Sequence, residues 1–395
     1  MKKNFYLMTA FCAIILSACS GNTDPIPSTE ESDIAKVVLS VNPATRATGT
    51  TEPDDNTTVE RKINRLTVAV FNNASGAVLT IQEKEEENPT TLSFDCPLSA
   101  ETVCSAIVVA NAPSGHFAGV TTRDDFLLQT FSLGDAQTSA NLPMSGAVLK
   151  DASASTFTLT PGGASSANTL SVALSRLVSR VIVKKIATDF SSTGAYSASV
   201  FKLTNVFVRN ALSTVKPATG GYADTKPDGV LGATNYLTGG GATWDAGLTT
   251  LASLNSTAAS GWDALVTGTH NYSDAVNYYY FYVFPNENSS YPTTLVLQGT
   301  FDTDGDGDLN DETNSGNVFY PVVINKNQTG TTINDGTTNI TGQTGTIARS
   351  MKYQLEITIR SKGVASPADN INPASLAVTV TVTSWTPYTQ TVAFD

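Results

Sequence analysis

Hydrophobic positions along most of this chain alternate with polar ones in short runs, and β-branched residues dominate those runs. Such alternation puts successive side chains on opposite faces of a strand. From residue 63 the runs 63–72 (INRLTVAVFN), 77–84, 91–95, 105–113, 142–148, 156–161, 168–174 and 179–187 follow one another, with Gly, Pro, Asn and Asp between them. A second set occupies 199–212, 278–286, 293–302, 317–325, 351–361 and 375–385. Strands repeated at this spacing predict an all-β chain built as two tandem β-sandwiches, divided near residue 190. One short helix is expected in the first half, over 124–131 (DDFLLQTF), with an Asp at its cap. The Gly/Thr/Ala-rich stretch between Pro217 and Tyr272, carrying Trp244 and Trp262, reads as long loops with one short helix.

The first sixty residues follow a different pattern. Met1, Lys2 and Lys3 precede an apolar stretch over 5–18 that is too short to span a bilayer, which takes about 20 residues, and it reads as a signal peptide. It ends in Leu16, Ser17, Ala18 and Cys19, small residues before a thiol that can accept a diacylglyceryl group. Two or three acyl chains hold a protein stably to a membrane. Beyond a polar tether, Ala35, Val37, Leu39 and Val41 share one face of a lone strand over 34–41. A loop-like stretch over 42–62 then holds Arg46 in an exposed setting that invites proteolysis, with Arg61 and Arg65 as less accessible alternatives.

Composition narrows the function. Charged residues make up 15% of the 395-residue chain, below the roughly 25% of an average domain. With 23 Lys+Arg against 35 Asp+Glu the net charge is -12, which leaves no basic surface to track phosphates and excludes nucleic acid as a partner. Two histidines, four cysteines and the lack of any Gly-x-Ser-x-Gly motif argue against an enzyme. Cys12 leaves with the signal, so Cys96 and Cys104 remain, either as a short disulfide or as two buried thiols. No cofactor is required. Asp302, Asp304, Asp306, Asp308 and Asn310 resemble the first half of a calcium loop, although Thr313 stands where the closing Glu belongs and Glu312 comes one residue early. This segment is either a structural Ca2+ site or an acidic hairpin tip. The aromatic run 278–282 with Phe284 is expected to be a strand with half its rings in the core.

Several segments in order resemble the major fimbrillins, shaft subunits of type V pili of Bacteroidetes-type bacteria. They are the lipobox at Cys19, the lone strand with Arg46, 64–71 (NRLTVAVF), 108–113 (VVANAP), 142–146 (LPMSG), 174–181 (LSRLVSRV), 280–286 (YFYVFPN) and 380–385 (VTVTSW). The resemblance implies transthyretin-like, Greek-key sandwiches and a lipoprotein precursor carried to the outer membrane. Its parts would be a signal peptide over 1–18, a lipidated propeptide with a removable strand over 19–46, and sandwiches over 47–190 and 191–395. An arginine-specific protease would cut between Arg46 and Ala47, and a C-terminal strand of a neighbouring copy would fill the emptied groove. The mature form would be extracellular, in fimbriae at the cell surface. Implied partners are further copies, anchor and tip subunits, and host or bacterial surface ligands that give adhesion.

The C-terminus offers two donor segments. Leu376, Val378, Val380 and Val382 alternate with polar residues and serve equally as a strand of the second sandwich; after Pro387, Tyr388, Val392 and Phe394 share one face. The alternative functions are a monomeric surface adhesin or glycan-binding lipoprotein, a tip subunit, and a glycoside-active enzyme. The strand-like tail beyond Trp385 argues against a tip, which needs no donor.

Overall fold

The structure, a computed structural model, describes residues 33–42, 60–133, 136, 139–212, 214–217, 236–238, 269–271 and 279–384. The expectations for Cys19, Arg46, Ala47, Trp244, Trp262, Tyr388, Val392 and Phe394 fall outside these residues. The first half contains β1 (Ile34–Asn42), β2 (Arg65–Asn72), β3 (Val78–Glu85), β4 (Thr91–Pro97), β5 (Thr102–Ala110), α1 (Arg123–Leu128), β6 (Phe131–Ser132), β7 (Met144–Leu149), β8 (Phe157–Leu159), β9 (Thr169–Ala173) and β10 (Ser175–Arg176). The second contains β11 (Ser179–Thr188), β12 (Val200–Arg209), β13 (Thr214–Val215), β14 (Tyr236–Thr238), β15 (Thr269–Asn271), β16 (Tyr279–Val283), β17 (Thr294–Asp302), β18 (Asn317–Val323), β19 (Thr331–Asn334), β20 (Met351–Ile359) and β21 (Leu376–Ser384).

The first sheet runs β3-β2-β5-β7-β9-β1-β4, with β8 on β5 and β10 on β7. It folds over at β7, whose early residues pair with β5 and whose Val148 and Leu149 pair with β9. The fold brings Leu66, Val68, Val70 and Val108 of one layer against Val37, Leu39, Phe94 and Leu170 of the other. Gly146 lies in β7, where a Cβ would come within 2.2 Å of the Ala173 carbonyl oxygen, so the close approach excludes any larger residue. β2 is buried on both faces, because Ala69 and Phe71 point away from this core into a cluster with Phe117 and Phe126. That double burial explains its near-continuous apolar run.

The helix differs from expectation. Its cap is Thr122, whose side-chain oxygen accepts from the Asp125 amide at 3.1 Å, and it ends at Leu128, while Phe131 begins β6. A hydroxyl two to three residues ahead of the free amides satisfies them as well as a carboxylate does.

In the second half the sheet β15-β11-β20-β21-β19, with β16 also on β11, accompanies the sheet β14-β12-β17-β18. Val181, Val183, Leu203, Val208, Leu295, Leu297, Tyr320, Leu355 and Val378 share their core. β21 is interior: it pairs antiparallel with β20 from Leu376↔Ile359 to Ser384↔Met351 and parallel with β19. Residues 376–384 therefore complete this sandwich. The sheets part between Arg176 and Ser179, ahead of the division expected near 190, because β11 pairs with β16 and β20 rather than with the earlier strands.

The two halves meet around a buried acid. Glu60 is 1% exposed and faces the Arg180 guanidinium at 3.4 Å, while the Tyr282 hydroxyl donates to the same carboxylate. Arg176 Nε donates to the Glu60 carbonyl at 3.1 Å, and Arg180 lies 4.4 Å from the Tyr280 ring centroid. Burial first, and the Glu60 charge second, push the Tyr282 hydroxyl well above its ordinary pKa. Phe281, Tyr282 and Phe284 are buried, half of the six-ring aromatic run, as expected. Arg349 adds a second tie, donating to the Ser145 carbonyl at 3.2 Å and the Ser175 carbonyl at 2.9 Å.

Glu60→Ala removes the carboxylate that faces the buried Arg180 guanidinium. It is expected to lower unfolding stability by about 3–5 kcal/mol, read as a drop in the urea midpoint. An unchanged midpoint would show that the pair does not hold the halves together.

Candidate functional site

β1 enters the first sandwich as a separate piece. It forms no hairpin with either neighbour: β4 runs antiparallel to it, from Ile34↔Pro97 to Ser40↔Thr91, and β9 runs parallel, from Val38↔Thr169 to Asn42↔Ala173. Beyond the ladders, the Leu98 amide donates to the Asp33 carbonyl at 2.8 Å, the Gly162 amide to the Ile34 carbonyl at 3.0 Å and the Val41 amide to the Thr90 carbonyl at 2.8 Å. Buried Asn168 braces the seat, with its Nδ2 donating to the Lys36 carbonyl at 3.2 Å and the Thr160 carbonyl at 3.0 Å.

The inward row is the one legible in the sequence. Ala35, Val37, Leu39 and Val41 are 0–2% exposed and pack with Leu92, Phe94, Cys96, Leu170 and Val172, whereas Lys36 is exposed. Burying Val37, Leu39 and Val41 at about 1.5–3 kcal/mol each contributes roughly 5–9 kcal/mol before ordering costs. Withdrawing β1 would expose that apolar floor together with the unpaired edges of β4 and β9, a template for another strand.

Cys96 lies in this floor, opposite Ala35 in the β1–β4 register. Cys96 and Cys104 are both buried free thiols, not a disulfide. Desolvation, with Cys104 nearby, pushes the Cys96 thiol up to about 12, and desolvation raises Cys104 to about 11. Both therefore stay protonated and unreactive while the core is closed.

The acidic loop follows β17. One carboxylate oxygen from each of Asp302, Asp304 and Asp306 lies within 4.8 Å of the others, and only Asp302 is buried. Asp302 is fixed by the Gly305 amide at 2.7 Å and the Gly307 amide at 2.8 Å, and both glycines have positive φ. Asp308 stands outside the trio and accepts from Asn310 Nδ2 at 2.7 Å. Glu312 binds Lys362 Nζ and the Thr303 amide, each at 2.5 Å, and the Lys362 contact first, then Thr303, lowers its pKa to about 2. It closes the loop from the side rather than serving as the twelfth ligand. The three aspartates offer hard oxygens of the kind Ca2+ takes.

Sequence reasoning did not single out Glu60, Asn168 or Arg180. Each is one polar residue in a strand or loop, and nothing periodic marks it.

Residues 35–176 match the family of the major fimbrial subunit protein (FimA), and residues 247–385 match the FimA4 pilin C-terminal domain. A solved fimbrilin from Porphyromonas gingivalis is similar at 21% identity over 91% of this chain and 99% of its own, with a TM-score of 0.59. A candidate cell adhesion protein from Parabacteroides distasonis shares 18% identity over 91% of this chain and 99% of its own, at a TM-score of 0.61. Another from Bacteroides eggerthii shares 18% over 92% and 98%, at 0.54. At these identities the structures establish a common fold.

Two outcomes are expected from this geometry. Iodoacetamide should modify Cys96 and Cys104 slowly in the intact protein and much faster once β1 is released; mass spectrometry that finds equal rates would place the thiols outside the floor. Calcium at about a hundred times its Kd should add about 2.7 kcal/mol of stability, and Asp304→Asn with Asp306→Asn should remove that gain. Identical melting of the unmodified chain in calcium and in chelator would leave the loop as an acidic turn.

Proposed function

This chain belongs to the fimbrial subunit family, and we propose that it polymerises by exchanging β1 for a strand of a neighbouring copy. The observation that carries this reading is that β1 fills a slot between β4 and β9 without a hairpin to either, and connects to β2 only through residues 43–64. A strand held that way can leave without unravelling a hairpin, and its departure strips β4 of its ladder partner and opens the edge of β9. Arg46 lies in the connection, and cleavage there would separate β1 from the body.

The precursor would carry the 1–18 signal, be lipidated on Cys19 and reach the outer membrane before an arginine-specific protease acts. The mature subunit would then join a surface fimbrium with anchor and tip subunits. Tyr388, Val392 and Phe394 are the proposed donor row, spaced to lie on one face of an extended strand. The interior place of β21 supports that choice, since donating Leu376–Ser384 would dismantle the second sandwich. A tail reserved for donation favours a shaft subunit over a tip.

Limited trypsin should yield a resistant body beginning at Ala47 and, with it, ladders on a gel and fibres by electron microscopy. Deleting 388–395 should leave a folded, cleavable monomer that does not elongate. Phe394→Asp should weaken elongation, because a carboxylate driven into an apolar slot is costly. Normal fibres from the truncated chain would move the donor elsewhere. A truncated chain that is neither folded nor cleaved would show that the tail belongs to the body.

A further inference from the structure

We propose that a cleft of about 470 Å³ at one end of the second sandwich binds an acidic saccharide unit, a sugar ring bearing one carboxylate. It opens where β12 and β18 end and where β17 and β21 begin, wholly within the second half and away from β1. The proposal therefore stands or falls apart from strand exchange.

Charge points to the ligand's sign. Arg209 and Lys326 both line the cleft, and neither has an ion pair among the described residues. Elsewhere Arg65 is matched by Glu83 and Glu85, and Lys362 by Glu312. Arg209 is half-buried, its Nε has no hydrogen-bond partner, and its Nη1 reaches only the Pro367 carbonyl at 3.5 Å. Asp369 is the one carboxylate on the lining, and it already accepts from the Ser366 amide at 3.1 Å. Two cations against one anion leave room for a single negative charge, which a sugar carboxylate supplies and a phosphate dianion exceeds. A guanidinium fork also matches a carboxylate in shape.

The rest of the lining points to a polyol. Tyr291 exposes 38% of its surface at the cleft and offers an apolar ring face with a polar tip. Gln328 and Thr329 supply both donors and acceptors, which hydroxyls need. Val322 and Leu376 form an apolar floor against which the C–H face of a ring can rest.

The test uses the full chain and saturation-transfer NMR with galacturonic acid and N-acetylneuraminic acid, with galactose as the neutral control and inorganic phosphate as the charge-only control. Both acidic sugars should give signal that weakens as salt rises. Lys326→Gln should lower affinity about tenfold without changing the melting temperature. Arg209→Lys, which keeps the charge and loses the fork, should also weaken binding. No transfer to either acidic sugar, equal binding of galactose, displacement of the sugars by phosphate at equal concentration, or full binding by both variants would overturn the assignment.

Discussion

A strand inside a sheet has to find partners for both rows of its backbone groups and cover for its inward side chains, and in the first sandwich that duty falls on one detached segment. β1 pairs β4 on one side and β9 on the other, and its four inward residues occupy the core that Leu66, Val68, Val70 and Phe94 also line. β2 and β3, adjacent in sequence, pair with each other, whereas β1 pairs with no strand adjacent to it in sequence. β1 is held by pairing and burial alone. The same interactions that close the sandwich therefore define what any replacement must provide: an extended backbone and small or medium apolar side chains at every second position.

Glu60, ahead of β2, fastens the first half to the second. Arg180 and Tyr282 come from β11 and β16, so the segment leading into β2 is tied to the second sandwich through Glu60, while its Ile63 joins the core that β1 also fills. Buried ionic groups are costly to separate even where their formation adds little. Arg349 reinforces the junction by reaching Ser145 in β7 and Ser175 in β10.

In the second sandwich the hairpin of β17 and β18 separates two charged regions. The aspartate loop joins the end of β17 to the start of β18, while Arg209 and Lys326 stand near the opposite ends of the same strands. The length of the hairpin keeps the acidic loop from neutralising the two cations. Lys362, in contrast, reaches Glu312 directly and steadies the loop.

Alternation along the chain marked the longer strands and, for β1, the side chains that face inward, because a period of two is a local property of extended backbone. It also marked the lone character of that strand, from the polar stretches on either side. It missed the short β6, β10, β13 and β19, and β14 and β15 lie in the stretch read as loops. The acidic loop was legible as a set of carboxylates, but only the fold decided that Asp302, Asp304 and Asp306 converge while Asp308 turns to Asn310 and Glu312 turns to Lys362. Alternation could not say that β11 joins the second sheet, that β21 is interior, or that Glu60 meets Arg180 across 120 residues. Periodicity records which way a side chain points relative to its own strand. Which strand lies beside it, and which charge lies opposite, depends on how distant segments fill a common core, and that was decided only by tertiary packing.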